Sequence, residues 1–249
     1  MLLLVTDTSG KHGFVGLVRA GENGTPDTIE VVEEVPLAGG TFSAQLVPQI
    51  SGLLDKHGLR KSDIQAFIVV SGPGSFTGLR VGLAAVKALA EILQKPIVPV
   101  SLLEVVARSI VFVAGQPRCP AELQYLVALD AGRSEAFVGD YRMDLAGDRI
   151  ESFHCEGESL LPVQSLAELV HSGAAPYVFT PDVALAKTLE EKLDLVQKKA
   201  ILTQDRPGSA EVARIGWHKL QAGEIVSPER LEANYIRRSD AEIFSKPVS

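Results

Sequence analysis

The stretch Ser71-Gly72-Pro73-Gly74-Ser75-Phe76-Thr77-Gly78-Leu79-Arg80-Val81-Gly82 holds the residues whose types and spacing most plainly invite chemistry. Gly72, Gly74 and Gly78 can take backbone angles closed to other residues, and amides at the start of a helix form the positive end of its dipole. Such a loop suits either a phosphate or the close approach of another backbone. It contains no G-x-x-x-x-G-K-[ST], and its glycines miss G-x-G-x-x-G by one residue. Any nucleotide bound here would therefore sit in a different fold. Asp7, followed by Thr8 and Ser9, and farther along Asp130, ends an apolar run, where a carboxylate can face a ligand. An aspartate in that position can equally cap its own turn, and both readings stay open.

Other reactive constellations are missing from the pattern. His12, His57, His154, His171 and His218 are scattered, so no two share a helical turn as a His-x-x-x-His metal pair requires. Cys119 and Cys155 lack the spacing of a zinc knuckle, and His154 as a direct neighbour of Cys155 points elsewhere in regular structure. A net charge of −7 argues against nucleic-acid binding by the chain alone. Arg237, Arg238 and Lys246 are a small basic group at the end, read as a solvated tail. With 46% hydrophobic and 22% charged residues over 249 positions, the chain reads as one large or two smaller globular lobes. The opening Met-Leu-Leu-Leu-Val meets Asp7 too soon for a signal or membrane segment, so a cytoplasmic protein away from membranes is expected.

The elements that must position these residues follow from periodicity. Leu2 to Thr6, Phe14 to Arg19 and Ile29 to Val35 read as strands of a meander, with a turn over Glu22 to Asp27. Leu46, Val47, Ile50, Leu53 and Leu54 recur at helical spacing up to Gly58. Pro48 implies that this helix begins near Val47 or is kinked if it begins earlier. A strand at Phe67 to Val70, a helix over Leu79 to Leu93 and a strand at Ile97 to Val100 complete the order β-β-β-α-β-α-β. In the second half, helices over 165–172, 183–195 and 209–223 and a strand at 177–180 are expected, with Ser209 as an N-cap and Trp217 packed inward.

The second half also echoes the first. Leu126-Val127-Ala128-Leu129-Asp130 followed by Phe137-Val138-Gly139 repeats Leu4-Val5-Thr6-Asp7 followed by Phe14-Val15-Gly16, with seven positions from Asp to Phe each time. With the strand order, this predicts an α/β actin-like fold (the sugar kinase, Hsp70 and actin superfamily, ribonuclease H-like) with two duplicated lobes. The expected divisions are 1–104, 105–226 and a tail at 227–249.

Residues 71–84 resemble the signature of the bacterial TsaB family, also called YeaZ. Thr6-Asp7-Thr8-Ser9, Gln45-Leu46-Val47-Pro48, Val100-Ser101-Leu102-Leu103-Glu104, the Asp130-Ala131-Gly132-Arg133-Ser134-Glu135 segment and Tyr235-Ile236-Arg237 agree in order. The chain departs from the pattern at Phe42 (commonly His), at Ala233 (expected Pro) and at Gly132, which displaces an arginine. The resemblance implies a non-catalytic dimerisation subunit of the tRNA threonylcarbamoyladenosine (t6A) machinery. Its implied partners are TsaD, which transfers threonylcarbamoyl to N6 of adenosine 37 in tRNAs reading codons that start with A, and the ATPase TsaE. It further implies tRNA contact only through the complex, a homodimer through the same helices, and ATP or ADP, if bound, at the joint with TsaD.

In the helix that follows the signature loop, Arg80, Lys87, Glu91 and Gln94 form one narrow polar stripe and the rest is apolar or small. A helix lying on its own sheet alone would show water a wider polar face. Leu79, Gly82, Leu83 and Val86, with Leu46, Ile50 and Leu53 of the preceding helix, are therefore expected to form the partner surface. The competing reading is an actin-like ATPase or small-molecule kinase using Asp7, Thr8, Ser9 and Asp130 around a nucleotide.

Overall fold

A computed structural model describes residues 1–21, 28–114, 122–146 and 149–237. The predicted turn at 22–27, Cys119, Arg238 and Lys246 lie outside these residues. The chain divides into two units, 1–102 with 207–249 and 103–206.

Unit 1 is built on a five-stranded sheet. Strands β1 (Leu2–Asp7), β2 (His12–Ala20) and β3 (Ile29–Ala38) form an antiparallel meander; α1 (Phe42–Lys56), β4 (Ala66–Gly72), α2 (Phe76–Leu93) and β5 (Ile97–Ser101) follow. The order is β3-β2-β1-β4-β5, with β1, β4 and β5 parallel. β1 and β4 are buried at every position, as expected of central strands covered on both faces, and this is why Leu2–Val5 and Ala66–Val70 are unbroken apolar runs. The edge strand β3 carries Glu30, Glu33 and Glu34, charges that discourage another strand from pairing there.

α1 begins at Phe42, so Pro48 sits inside it. The donor that Pro48 lacks would have served the carbonyl of Ala44, and both residues are exposed, where water can reach that oxygen. Phe42, Leu46, Ile50, Leu53 and Leu54 form its buried face. α2 starts one turn earlier than its apolar pattern indicates. Ser75 is its N-cap, accepting from the Gly78 amide at 3.3 Å, and Gln94 ends it in the left-handed conformation at φ 52°.

Unit 2 repeats the plan. Its strands are β6 (Glu122–Gly132), β7 (Glu135–Ala146), β8 (Arg149–Pro162), β9 (Val178–Thr180) and β10 (Ile201–Thr203). Their order is β10-β9-β6-β7-β8, the same topology as unit 1 with shorter parallel strands. Helices α4 (Val163–His171) and α5 (Val183–Glu190) fill the places of α1 and α2. This is the actin-like fold with two duplicated lobes. The echoed hairpins are equivalent in topology but not in register: Asp7 faces Phe14, whereas Phe137 faces Leu129 because a bulge at Asp130/Gly132 shifts the pairing by one.

The lobe boundary differs from the expected one at its second crossing. α3 (Leu102–Ala114) belongs to unit 2 after its first residue, where Tyr125 Oη donates to the Ala107 carbonyl at 3.0 Å. α6 (Ser209–Gln221), expected in the second lobe, belongs to unit 1. It lies on the first sheet because Gly16 and Gly216 leave room for it. A Cβ on Gly16 would come within 2.7 Å of the Ser209 Cβ, and one on Gly216 would overlap the Ile68 side chain. Gly208, not Ser209, is the N-cap, and the Ser209 amide donates to the Glu34 carboxylate at 2.7 Å. Glu211 accepts from the Gly208 amide, so two carboxylates face the positive end of the helix. Trp217 is buried, as expected. Among the described residues, no helix is long and apolar enough to cross a membrane.

Candidate partner interface

The signature loop is packed against the β1–β2 turn. The Ser75 amide donates to the Ser9 carbonyl at 2.6 Å, and Thr8 Oγ1 donates to the Gly78 carbonyl at 2.8 Å. A Cβ on Gly74 would overlap the Ser9 carbonyl oxygen, one on Gly78 the Thr8 carbonyl oxygen, and one on Gly82 the Thr8 hydroxyl. Gly72 has φ +132°, precedes a cis bond to Pro73, and has the Asn234 carbonyl against its α-carbon. These glycines thus let α2 and the β1–β2 turn touch backbone to backbone, the second of the two uses open to such a loop.

Asp7 is buried and its Oδ1 accepts from both the amide and the hydroxyl of Ser9, at 2.7 and 2.6 Å. Asp130 Oδ1 accepts from the Gly132 amide at 2.8 Å, the same i to i+2 closure. The Asp130 amide in turn donates to Asp182 at 2.7 Å. Both aspartates therefore cap their own hairpins. Thr8 and Ser9 are likewise buried and engaged.

The surface assigned to a partner needs correction. Leu46, Ile50, Leu53, Leu79, Gly82, Leu83 and Val86 are all buried within unit 1. Leu46, Ile50 and Leu53 meet Leu83 and Val86 in one core cluster with β1 and β4 residues. The inward face of α2 is the one with large side chains, plus the two glycines that admit Thr8. Its outward face is a different apolar stripe at the same helical spacing: Thr77, Ala84, Ala88 and Ile92 are exposed and Val81 is half-buried. Ile92 is 78% exposed, and Val47 on α1 is 51% exposed, with Ala44 and Gly52 beside it on the open side. Two adjacent helices thus present small and apolar residues to the outside.

Tyr235 is seated on the first turns of α2. Its ring lies 4.9 Å from that of Phe76, its hydroxyl accepts from Arg80 Nε at 3.3 Å, and the Arg80 guanidinium stacks 3.7 Å above the Phe76 ring. Asn234 donates its amide to the Ser71 carbonyl at 2.7 Å, and Leu231 is buried in the core cluster. Residues 226–235 therefore strap the end of the chain across the signature loop. Phe76 and Arg80 as the seat of Tyr235 were not legible, because an aromatic and a cation one turn apart look like ordinary helix surface.

Compared with known proteins, residues 36–243 match the model of the family described as TsaD, tRNA N6-adenosine threonylcarbamoyltransferase. The chain belongs to this family. Its relatives include TsaB, the tRNA threonylcarbamoyladenosine biosynthesis protein, from Bacillus subtilis, 26% identical over 97% of this chain and 96% of that one. The Escherichia coli TsaB is 25% identical over the same shares. Among solved structures, YeaZ from Pseudomonas aeruginosa superposes with a TM-score of 0.66 at 23% identity, covering 94% of this chain and all of that one. These relatives place the chain with the TsaB/YeaZ members.

Two of the departures from the TsaB pattern can be read structurally. A Cβ on Gly13 or Gly78 would stand 3.1 or 3.3 Å from the Phe42 ring, so the ring fills a slot that both glycines leave. Gly132 adopts φ +69° in the β6–β7 turn, a conformation glycine takes without a Cβ penalty. Cys155 is an exposed residue whose sulfur is partly shielded, and that desolvation, with the charge of Glu158, pushes the thiol up, the opposite of nucleophile activation.

Proposed function

We propose that the chain is the non-catalytic, TsaB-type subunit of a t6A-forming complex, binding a TsaD-type subunit through the outward faces of α1 and α2. In that role it supports threonylcarbamoyl transfer to N6 of adenosine 37 in tRNAs reading codons that begin with A, with TsaE joining the assembly and tRNA contacted only within it. The observation that carries the reading is the stripe Val81, Ala84, Ala88 and Ile92 beside Val47 and Gly52. Small residues allow a second pair of helices to approach closely, and the exposed apolar side chains gain by leaving water. The same face serves self-association when TsaD is absent. ATP or ADP belongs, on this reading, to the joint with TsaD.

The non-catalytic part rests on the site chemistry. Both aspartates that would serve phosphoryl transfer close their own turns. The test is co-purification with TsaD and assay of adenosine modification with and without this subunit. Ala88→Arg and Ile92→Glu are expected to abolish co-elution while the circular dichroism spectrum stays native. Unchanged co-elution would sink the proposed face. Nucleotide turnover by the isolated chain that disappears in Asp7→Ala would replace the scaffold reading with the kinase one.

A further inference from the structure

Between α2 and the strap lies a groove of about 300 Å³ that the helix-pairing face does not require. Leu83, Ala84, Leu231 and Ala233 give it an apolar lining, and Arg80, Lys87 and Glu232 border it. Ala84 belongs both to this groove and to the exposed stripe of α2, so the two surfaces are continuous.

Arg80 is held in an unusual way for an exposed side chain. Its guanidinium plane is stacked on Phe76 and its Nε is engaged by the Tyr235 hydroxyl. Among the described residues its two Nη groups have no partner. A fork fixed on one face and one edge keeps its other edge ready for two parallel bonds to a carboxylate or phosphate. The ordering cost of a free arginine has already been met. Lys87 stands two turns farther along the same side of α2. Its charge is partly answered, since the Glu229 carboxyl is held below its ordinary range by the Ser227 hydroxyl, its own amide and, more weakly, Lys87.

The balance of charges chooses the ligand. Glu232 on the groove wall, with Glu229 nearby, would repel the several charges of a polyphosphate, leaving Arg80 as the one unanswered cation among the lining residues. The apolar lining in turn asks for aliphatic surface. We propose that this groove receives a Glu or Asp side chain, flanked by an apolar residue, from the protein that docks on α2, and that Arg80, positioned by Tyr235, pairs with that carboxylate. The inference rests on the reading that α2's outward face binds a protein, and adds the acidic anchor by which that partner is recognised.

Titration calorimetry of the full-length chain with its TsaD partner tests it. Arg80→Gln should weaken binding about tenfold and flatten its salt dependence, and Arg80→Lys should not restore it, because an ammonium lacks the fork. Tyr235→Phe, which keeps the ring but frees Nε, should weaken binding by roughly a few fold. Wild-type affinity and salt dependence in Arg80→Gln, while Ala88→Arg still abolishes binding, overturn the groove alone. Failure of the wild-type chain to bind overturns both readings. ADP titrated into the isolated chain is the remaining arm: binding that vanishes in Arg80→Gln would assign the fork to phosphate and overturn the carboxylate.

Discussion

Gly78 and Gly52 show that the same residue type carries opposite consequences on neighbouring helices. At Gly78 a Cβ would collide with the Thr8 carbonyl oxygen, a backbone atom in a hairpin turn held by Asp7 and by the Ser75 amide. Gly78→Ala is therefore expected to cost about 3 kcal/mol, as overpacking against fixed backbone does. That lowers Tm by roughly 6–12 °C in a chain of this size, read by differential scanning calorimetry. At Gly52 a Cβ meets nothing within 4 Å. Gly52→Ala should instead stabilise the isolated chain by about 0.5–1 kcal/mol, because alanine loses less backbone entropy on entering a helix. A Tm unchanged in the first variant or lowered in the second would contradict these packing assignments. The signature glycines mark in the sequence where backbones meet. What they meet was out of reach, because Thr8 and Ser9 lie some seventy positions away and nothing local distinguishes a carbonyl from a phosphate as the visitor.

α2 was legible as a helix with little polar surface, and its outward side carries Ala84, Ala88 and Ile92 in the open. Which apolar face points inward was not legible, since periodicity fixes the angle between residues but not the origin of that angle. Gly82, Leu83 and Val86 look as suitable for a partner as Val81, Ala88 and Ile92 until the β1–β2 turn is in place, and it claims the glycine side. The choice changes what a mutation means. Gly82→Arg or Leu83→Glu would fall in the core of unit 1 and unfold it, so loss of a complex in such a variant would say nothing about the surface. Ala88→Arg lies on exposed helix and should change the stability of the isolated chain by less than about 0.5 kcal/mol. In the complex, a bulky charge at the centre of a packed helix pair should weaken association by about 2 kcal/mol or more, near thirtyfold, in a sedimentation or calorimetric titration. Separation of those two numbers in one variant is what an interface residue requires. Other elements escaped the sequence for reasons of pattern. The pairing of β8 with β7 shifts register opposite Asp140/Tyr141 and Asp144/Leu145, which breaks the alternation of a strand, and α3 carries only Glu104, Arg108 and Ser109 among apolar and small residues, too few to mark its period.

At the scale of the molecule, the duplication was visible in the two Asp-to-Phe hairpins and is complete in the strand orders β3-β2-β1-β4-β5 and β10-β9-β6-β7-β8. The expected division at 104/105 already gave α3 beyond its first turn to the second unit; what the sequence did not show is that α6 serves the first, because a linear division assigns a helix to the strands that precede it. α3 follows the first sheet and packs in unit 2; α6 follows the second sheet and packs in unit 1. Unit 1 is thus not a contiguous piece of chain. Without residues 207–237 its sheet would lose α6, which reaches β1 through β5 on one side. It would also lose Leu231 from the core and the Tyr235 clasp on α2. A chain ending at Arg206 is therefore expected to lose the cooperative unfolding transition of unit 1 and to aggregate, because the face it uncovers is continuous and apolar. Calorimetry and light scattering of that truncation decide the matter. In the full-length chain Trp217, the single tryptophan, gives an independent readout from inside α6. Leu4→Ala, which empties a fully buried site in the first sheet, should destabilise by about 2–5 kcal/mol and shift the Trp217 fluorescence midpoint with it. A soluble, cooperatively folding truncation, or a Trp217 signal indifferent to Leu4→Ala, would return α6 to the second lobe and remove the strap from the docking surface proposed for α2.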